Sequence, residues 1–383
     1  MTTLSQTGGI WPSPQQLLIL KASLWQGDAA IQAWKLWVDK IDINADFDYE
    51  TFRLLPMLYH NMHQHGMSGH VMNRLKGLYR KSWFEQKMLV HKALPYLQAL
   101  QQEGMDFLLL KGLPLGIQYY KNIALRPMSD IDILIHHSQA QKGIDFFESR
   151  SWDRHLNTWN EDIHYRHSMP FYKDKLEIDL HWYGLVDNCD ENINRIWWAN
   201  SIPISVLDLE VKTLSPTDML FHSIIHGMRW NKEPAIRWIA DAYKIIEAEP
   251  DAINWDLFVK KAKKLAFTQR LALGLTFLIN EMKLDIPESV IAQLQSSKPT
   301  LIEWLESSYV LKAQDNIYRH PMGKLWAILI DYQSVGPRRH IIPHVFGLSH
   351  YLRNRLRAKG RLVILQETVA GIIRRIREYF DKV

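Results

Sequence analysis

A single cysteine, Cys189, occurs in 383 residues. No intrachain disulfide and no cysteine-rich metal site can form, which fits a reducing compartment. The start, MTTLSQTGGIWPSPQQ, lacks the basic stretch and apolar core of an export signal. No uncharged run approaches the ~18–20 residues of a membrane span. Together these absences read as a soluble, cytoplasmic protein. Also missing are Gly-x-x-x-x-Gly-Lys-Ser/Thr, Gly-x-Gly-x-x-Gly and Gly-x-Ser-x-Gly, which leaves phosphate-loop, dinucleotide and serine-hydrolase readings without support. There is no His-Asp dipeptide, so the helical metal phosphohydrolase arrangement is excluded too.

Hydrophobic residues make up 47% of the chain and charged residues 23%, with no low-complexity block. That composition supports two or three packed cores. The net charge of +5 is small for this length, but it is unevenly placed. From Arg338 onward, Arg338, Arg339, Arg353, Arg355, Arg357, Lys359, Arg361, Arg374, Arg375, Arg377 and Lys382 face only Glu367, Glu378 and Asp381. Such a basic tail suits a solvated helix face, an anionic membrane surface or RNA.

Residues 1–103 read as an N-terminal helical region. SPQQLLILKASLW opens with a Ser-Pro helix start, and Ser68 to Gln102 keeps apolar residues at helical intervals. After Gly104 the texture changes. MDFLLLKG and SDIDILI read as strands, LPLGIQYY and the Ser-started SQAQKGIDFFES as helices, and DIHYRHSMPFY with KLEIDLHWYG as a hairpin turning at KDK. Residues 104–214 are therefore an α/β unit. Residues 215–383 return to helices, with Pro near the starts of SPTDMLFHSIIHGM and PAIRWIADAYKIIEA.

Alternate residues of a strand share a face. In SDIDILI, Asp130, Asp132 and Leu134 fall on one face and Ile131, Ile133 and Ile135 on the other. In LEIDLHW, Leu176, Ile178 and Leu180 oppose Glu177, Asp179 and His181. Carboxylates this close repel unless positive charge lies between them. If the two strands are neighbours, Asp130, Asp132 and Asp179 form an oxygen-rich cluster suited to Mg²⁺ or Mn²⁺.

Those residues, together with LLLKG, Tyr119-Tyr120 and RPMSDIDILI, resemble the bacterial uncharacterised nucleotidyltransferase family of the polymerase-beta-like superfamily. LLPMLYHNM, HSIIHGM and IRWIADAY extend the resemblance to about Tyr243. It implies an α/β (α+β) nucleotidyltransferase core with a mixed sheet, flanked by N-terminal helices and a C-terminal helical domain, with the substrate cleft between sheet and C-terminal helices. The activity implied is metal-dependent transfer of a nucleoside monophosphate from a triphosphate such as ATP to an acceptor hydroxyl, releasing pyrophosphate. Asp130, Asp132 and Asp179 would be the catalytic, metal-holding set, with Asp179 also able to accept the hydroxyl proton. Lys111, Gly112 and Arg126 would meet the triphosphate. Where the superfamily has Gly-Gly or Gly-Ser, this chain has Lys111-Gly112, so Lys111 replaces a serine hydroxyl.

The remaining candidates also admit plainer roles. His181 either contacts nucleotide or metal, or is packed with one hydrogen bond. His164 and His167 lie on opposite faces of their strand, so they cannot both enter one site. Glu177 reads as a possible salt-bridge partner. His222 and His226 have zinc-like spacing without a third ligand and read as core or capping residues. Arg237 and Asp241 read as an i, i+4 ion pair. Two rival functions stay open: a catalytically silent nucleotide- or RNA-binding module, and a metal- or carboxylate-dependent hydrolase using Asp130 and Asp179.

Overall fold

The computed structural model describes residues 9–311, apart from 45, 155–162, 164–166, 188, 190, 232, 301–302 and 305. His164 and the basic segment from Arg338 onward lie outside the described residues.

Three helices open the fold: α1 (Pro14–Leu24), α2 (Gly27–Val38) and α3 (Tyr49–Gln64). The Ser-Pro start works as expected, because Ser13 and Gln16 form a reciprocal capping box with Pro14 in the first turn. Helix α4 (His70–Gln102) has 33 residues. At 1.5 Å per residue it is about 50 Å long, enough to pass two separate apolar cores.

The central sheet is built from β1 (Phe107–Leu110), β2 (Ile131–Ile135), β3 (Asp153–Arg154), β4 (Ser168–Lys173), β5 (Leu176–His181), β6 (Ile202–Val206) and β7 (Leu209–Thr213). Its strand order is β3-β4-β5-β2-β1-β7-β6. Strand β2 runs antiparallel to β1 and parallel to β5, while β1 runs parallel to β7. The fold is thus an α+β mixed sheet with helices before and after it in sequence. The β4–β5 hairpin turns at Asp174 and Lys175, both with positive φ, as a two-residue turn matching strand twist requires.

Each face of the sheet buries its own core. Ile131, Ile133 and Ile135 pack with Leu176, Ile178 and Leu180 against the second half of α4 and against α6 (Ala140–Glu148). On the opposite face, Leu108, Leu110 and Leu134 join a larger cluster shared by the N-terminal helices and by α7 (Glu191–Ala199), α8 (Pro216–Gly227), α9 (Arg237–Ala248), α10 (Trp255–Leu265), α11 (Thr268–Met282) and α12 (Glu288–Gln295). The isoleucine and aspartate faces therefore separate as the alternation predicts. Helix starts agree less uniformly. Ser215 caps α8, but α6 begins at Ala140 after a short 3₁₀ turn, and Ser138 does not cap it. Helix α9 begins at Arg237, beyond Pro234.

The crossing of α8 and α9 shapes a cleft against the sheet, and it depends on Gly227. A Cβ there would lie 2.1 Å from Cβ of Trp238. That contact cannot be relieved by rotating a side chain. Gly227→Ala is expected to force the helices apart, at roughly 1–3 kcal/mol, read as a lowered midpoint in thermal unfolding.

Candidate active site

The pairing of β2 with β5 sets the site. In their parallel register Asp132 is the Cα partner of Asp179, and Leu134 of His181. Because both strands bury their alternate apolar residues on the other face, the two carboxylates emerge side by side. His181 Nε2 lies 3.0 Å from Asp132 Oδ1 and 2.9 Å from Asp179 Oδ2. Lys111 Nζ donates to the same Asp132 oxygen at 2.6 Å. Lys111 precedes α5 (Gly112–Gln118) with φ 50 and ψ −111, a sparsely populated conformation for a residue with a side chain. The strained turn out of β1 aims its ammonium at β2.

Charges in this cluster hold one another. Burial opposes ionisation of Asp132, but Lys111 and His181 outweigh it and keep its pKa below the usual carboxylate value. Asp179 is likewise held down, against burial, chiefly by His181. Burial disfavours the charged His181 ring, yet the attraction of Asp179 and hydrogen bonds to both carboxylates raise its pKa to about 9. At neutral pH it is an imidazolium shared by two aspartates, more than a packed histidine with one bond.

Asp130 stands just before β2 on the cleft wall and is not part of the tight Asp132–Asp179–His181 group. Burial, followed by the like charge of Asp132, raises its pKa. Glu177 shares the face of Asp179 and accepts a hydrogen bond from Tyr172 Oη at 3.0 Å. The ring of His167 lies 5.6 Å from that of His181; burial and the charge of His181 push its pKa down.

A cleft of about 230 Å³ opens beside the cluster, between the sheet, α3, α8 and α9. Lys111, Gly112, Arg126, Asp130 and Asp132 line it. A Cβ on Gly112 would come within 2.9 Å of Met128 Sδ and 3.2 Å of Arg126 Nη1, so the missing side chain lets the Arg126 segment close over the turn. His222 is buried, with Nε2 3.1 Å from the Gly184 carbonyl. His226 lies in the last turn of α8 and lines the cleft, exposed rather than in the core.

The expected Arg237–Asp241 pair is not formed. Asp241 accepts instead from Arg126 Nε at 2.7 Å, Arg126 Nη2 at 2.8 Å and Tyr120 Oη at 2.8 Å. These partners lie far from Asp241 in sequence, which is why an i, i+4 rule could not find them. Fully buried bidentate geometry outcompetes the local pairing.

A sequence profile described as "Uncharacterised nucleotidyltransferase" matches residues 50–281, more than half of the chain. The chain belongs to this nucleotidyltransferase family. The match extends beyond Tyr243, where the motif resemblance stops. No curated protein matches the chain. Among solved structures, an antigenic nucleotidyltransferase-like protein from Paracoccidioides brasiliensis is similar at 13% identity, over 56% of this chain and 94% of that one, with a TM-score of 0.32. A likeness at that level carries no functional weight. Among the described residues, no helix is long and apolar enough to cross a membrane.

Members of a nucleotidyltransferase family generally use divalent metals, and the donors here fit one. Ligand atoms of Asp132, Asp179 and His181 all lie within 4.8 Å of one another, the carboxylates being ready ligands and the His181 ring one only when deprotonated. Asp179 Oδ1 is buried without a hydrogen-bond partner, an arrangement that ordinarily costs about 1–3 kcal/mol and that a cation would relieve.

The Arg126–Asp241 clamp ties the loop before β2 to α9. Asp241→Ala would strand a buried guanidinium and is expected to cost about 3–5 kcal/mol in urea unfolding. Arg126, against burial, holds the folded-state pKa of Asp241 below its ordinary value. Its contribution is therefore complete above about pH 4 and fades as pH falls through the depressed value. The variant should lack that part of the acid dependence.

Proposed function

We propose that this chain transfers a nucleoside monophosphate from a nucleoside triphosphate to an acceptor hydroxyl, in the cleft beside Asp132 and Asp179. The observation that carries the reading is the in-register pairing of these two aspartates, with one buried oxygen of Asp179 left unsatisfied. Asp132 and Asp179, joined by Asp130 from the cleft wall, would hold Mg²⁺ or Mn²⁺. When bound, the cation supplies Lewis-acid stabilisation of the charge developing on phosphoryl oxygens.

The chain's own groups do the rest. Lys111 and the Nη1 edge of Arg126, beside Gly112, would receive the triphosphate. The acceptor oxygen bonds to the α-phosphorus, the bridge to the β-phosphate breaks, and pyrophosphate leaves with the bond's electron pair. Asp179 would accept the hydroxyl proton, while Asp130, whose Oδ1 accepts from Ser129 Oγ at 3.3 Å, stands on the cleft wall. His181 would fix the two metal-side carboxylates in position.

One observation favours a second reading. Lys111 and His181 already balance the two buried aspartates, so the site is stable as a catalytically silent nucleotide- or RNA-binding module. Incubating the protein with α-labelled triphosphates, Mg²⁺ and cell extract separates the two. Transfer of label, lost on chelation and reduced roughly 10²–10³-fold in a folded Asp132→Asn variant, is the expected result. Nucleotide binding without any transfer would support the silent module, and activity that survives chelation would support a carboxylate hydrolase.

A further inference from the structure

Four lysine and arginine side chains line the cleft: Arg53, Lys111, Arg126 and Arg237. Three are answered by carboxylates. Lys111 meets Asp132 at 2.6 Å, Arg126 is clamped by Asp241 at 2.7 Å, and Arg53 meets Glu50 at 3.3 Å. Among the described residues, Arg237 has no ion-pair partner. Its Nη1 donates to the Pro127 carbonyl, and its Nε is buried with no hydrogen bond. Asp241, one turn further along α9, is the natural partner, but Arg126 and Tyr120 occupy both of its oxygens.

Burial first, and then the neighbouring guanidinium groups of Arg126 and Arg53, work against the Arg237 charge and outweigh the more weakly acting carboxylates of Asp241 and Glu50. A cation kept in a cleft without a counterion, among other cations, is arranged for an anion from outside. Its position indicates which anion. The Pro127 carbonyl that anchors it directly follows Arg126, whose Nη1 lies where a Gly112 Cβ would almost touch it. Arg237 therefore shares one cleft with the turn at Lys111-Gly112, and its charge also favours ionised Asp130. We propose that Arg237 is the anion-binding guanidinium of this cleft and takes the terminal phosphate groups of the nucleoside triphosphate. This rests on the nucleotidyltransferase reading of the same cleft. Arg126, held at Nε and Nη2 by Asp241, leaves only its Nη1 edge for the same anion.

Calorimetric titration of the full chain with inorganic tripolyphosphate tests this without requiring turnover. Wild type should bind. Arg237→Gln should bind at least tenfold more weakly, and Arg237→Lys should fall between, since it keeps the charge but loses the two-pronged geometry. Lys81→Gln, an exposed one-charge change on α4, should bind as wild type does. If Arg237→Gln does not fold, the Arg237→Lys result decides alone. Equal affinity in wild type and both Arg237 variants would overturn the proposal, as would no binding by wild type. Label transfer run in parallel keeps the two ideas distinct. Transfer with affinity indifferent to Arg237 leaves the function standing and removes this role, while Arg237-dependent binding without transfer does the reverse.

Discussion

Two buried carboxylates placed side by side by a parallel strand pairing are the constraint around which the rest is arranged. Neither Asp132 nor Asp179 could be buried there alone, because desolvation and mutual repulsion both favour the protonated form. The chain answers with two cations from different elements. Lys111 is delivered by a strained turn, and His181 lies two residues beyond Asp179 on the same strand face. Because these contacts cross from β1 to β2 and from β2 to β5, a one-residue slip in register would turn the aspartates into the isoleucine core and the isoleucines towards the cleft. Electrostatics and packing therefore specify the same alignment.

Around this centre the charges divide by task. Arg126 and Asp241 satisfy each other and tie the loop before β2 to α9, so that sheet and C-terminal helices form a single cleft. Their mutual saturation is what leaves Arg237 without a counterion. The close crossing at Gly227 sets α9 near enough to α8 for both helices to contribute to the wall. In the proposed function, Arg237 and Arg126 are neighbouring guanidinium groups that differ in whether a carboxylate answers them.

Much of this is legible in the sequence, for identifiable reasons. The period-two alternation of Ile131, Ile133 and Ile135 against Asp130 and Asp132, and the same pattern around Asp179, fix side-chain direction locally, and both hold. Strand adjacency enters a sequence reading only as a condition, because register is a property of two segments about fifty residues apart. Other features escape such a reading. IPISVLDLEVKT folds into β6 and β7, but its turn at Leu207-Asp208 lacks the Gly or Asn that marks a hairpin; Leu207 itself adopts φ 55. Spacing alone makes Arg237 the local partner of Asp241, since nothing in sequence reveals that a distant arginine and tyrosine have taken that carboxylate. The weight of His181 is hidden for the same reason: its two acceptors become neighbours only when the sheet forms.

The central claim is that Asp132 and Asp179 are held together in order to grip a divalent cation. The most direct measurement is anomalous diffraction from crystals of the protein grown with Mn²⁺. The expected result is a strong anomalous peak within coordination distance of carboxylate oxygens from both residues, with Asp179 Oδ1 among its ligands. Saturating Mn²⁺ with no peak there, and with Lys111 and His181 still bound to the two carboxylates, would contradict it.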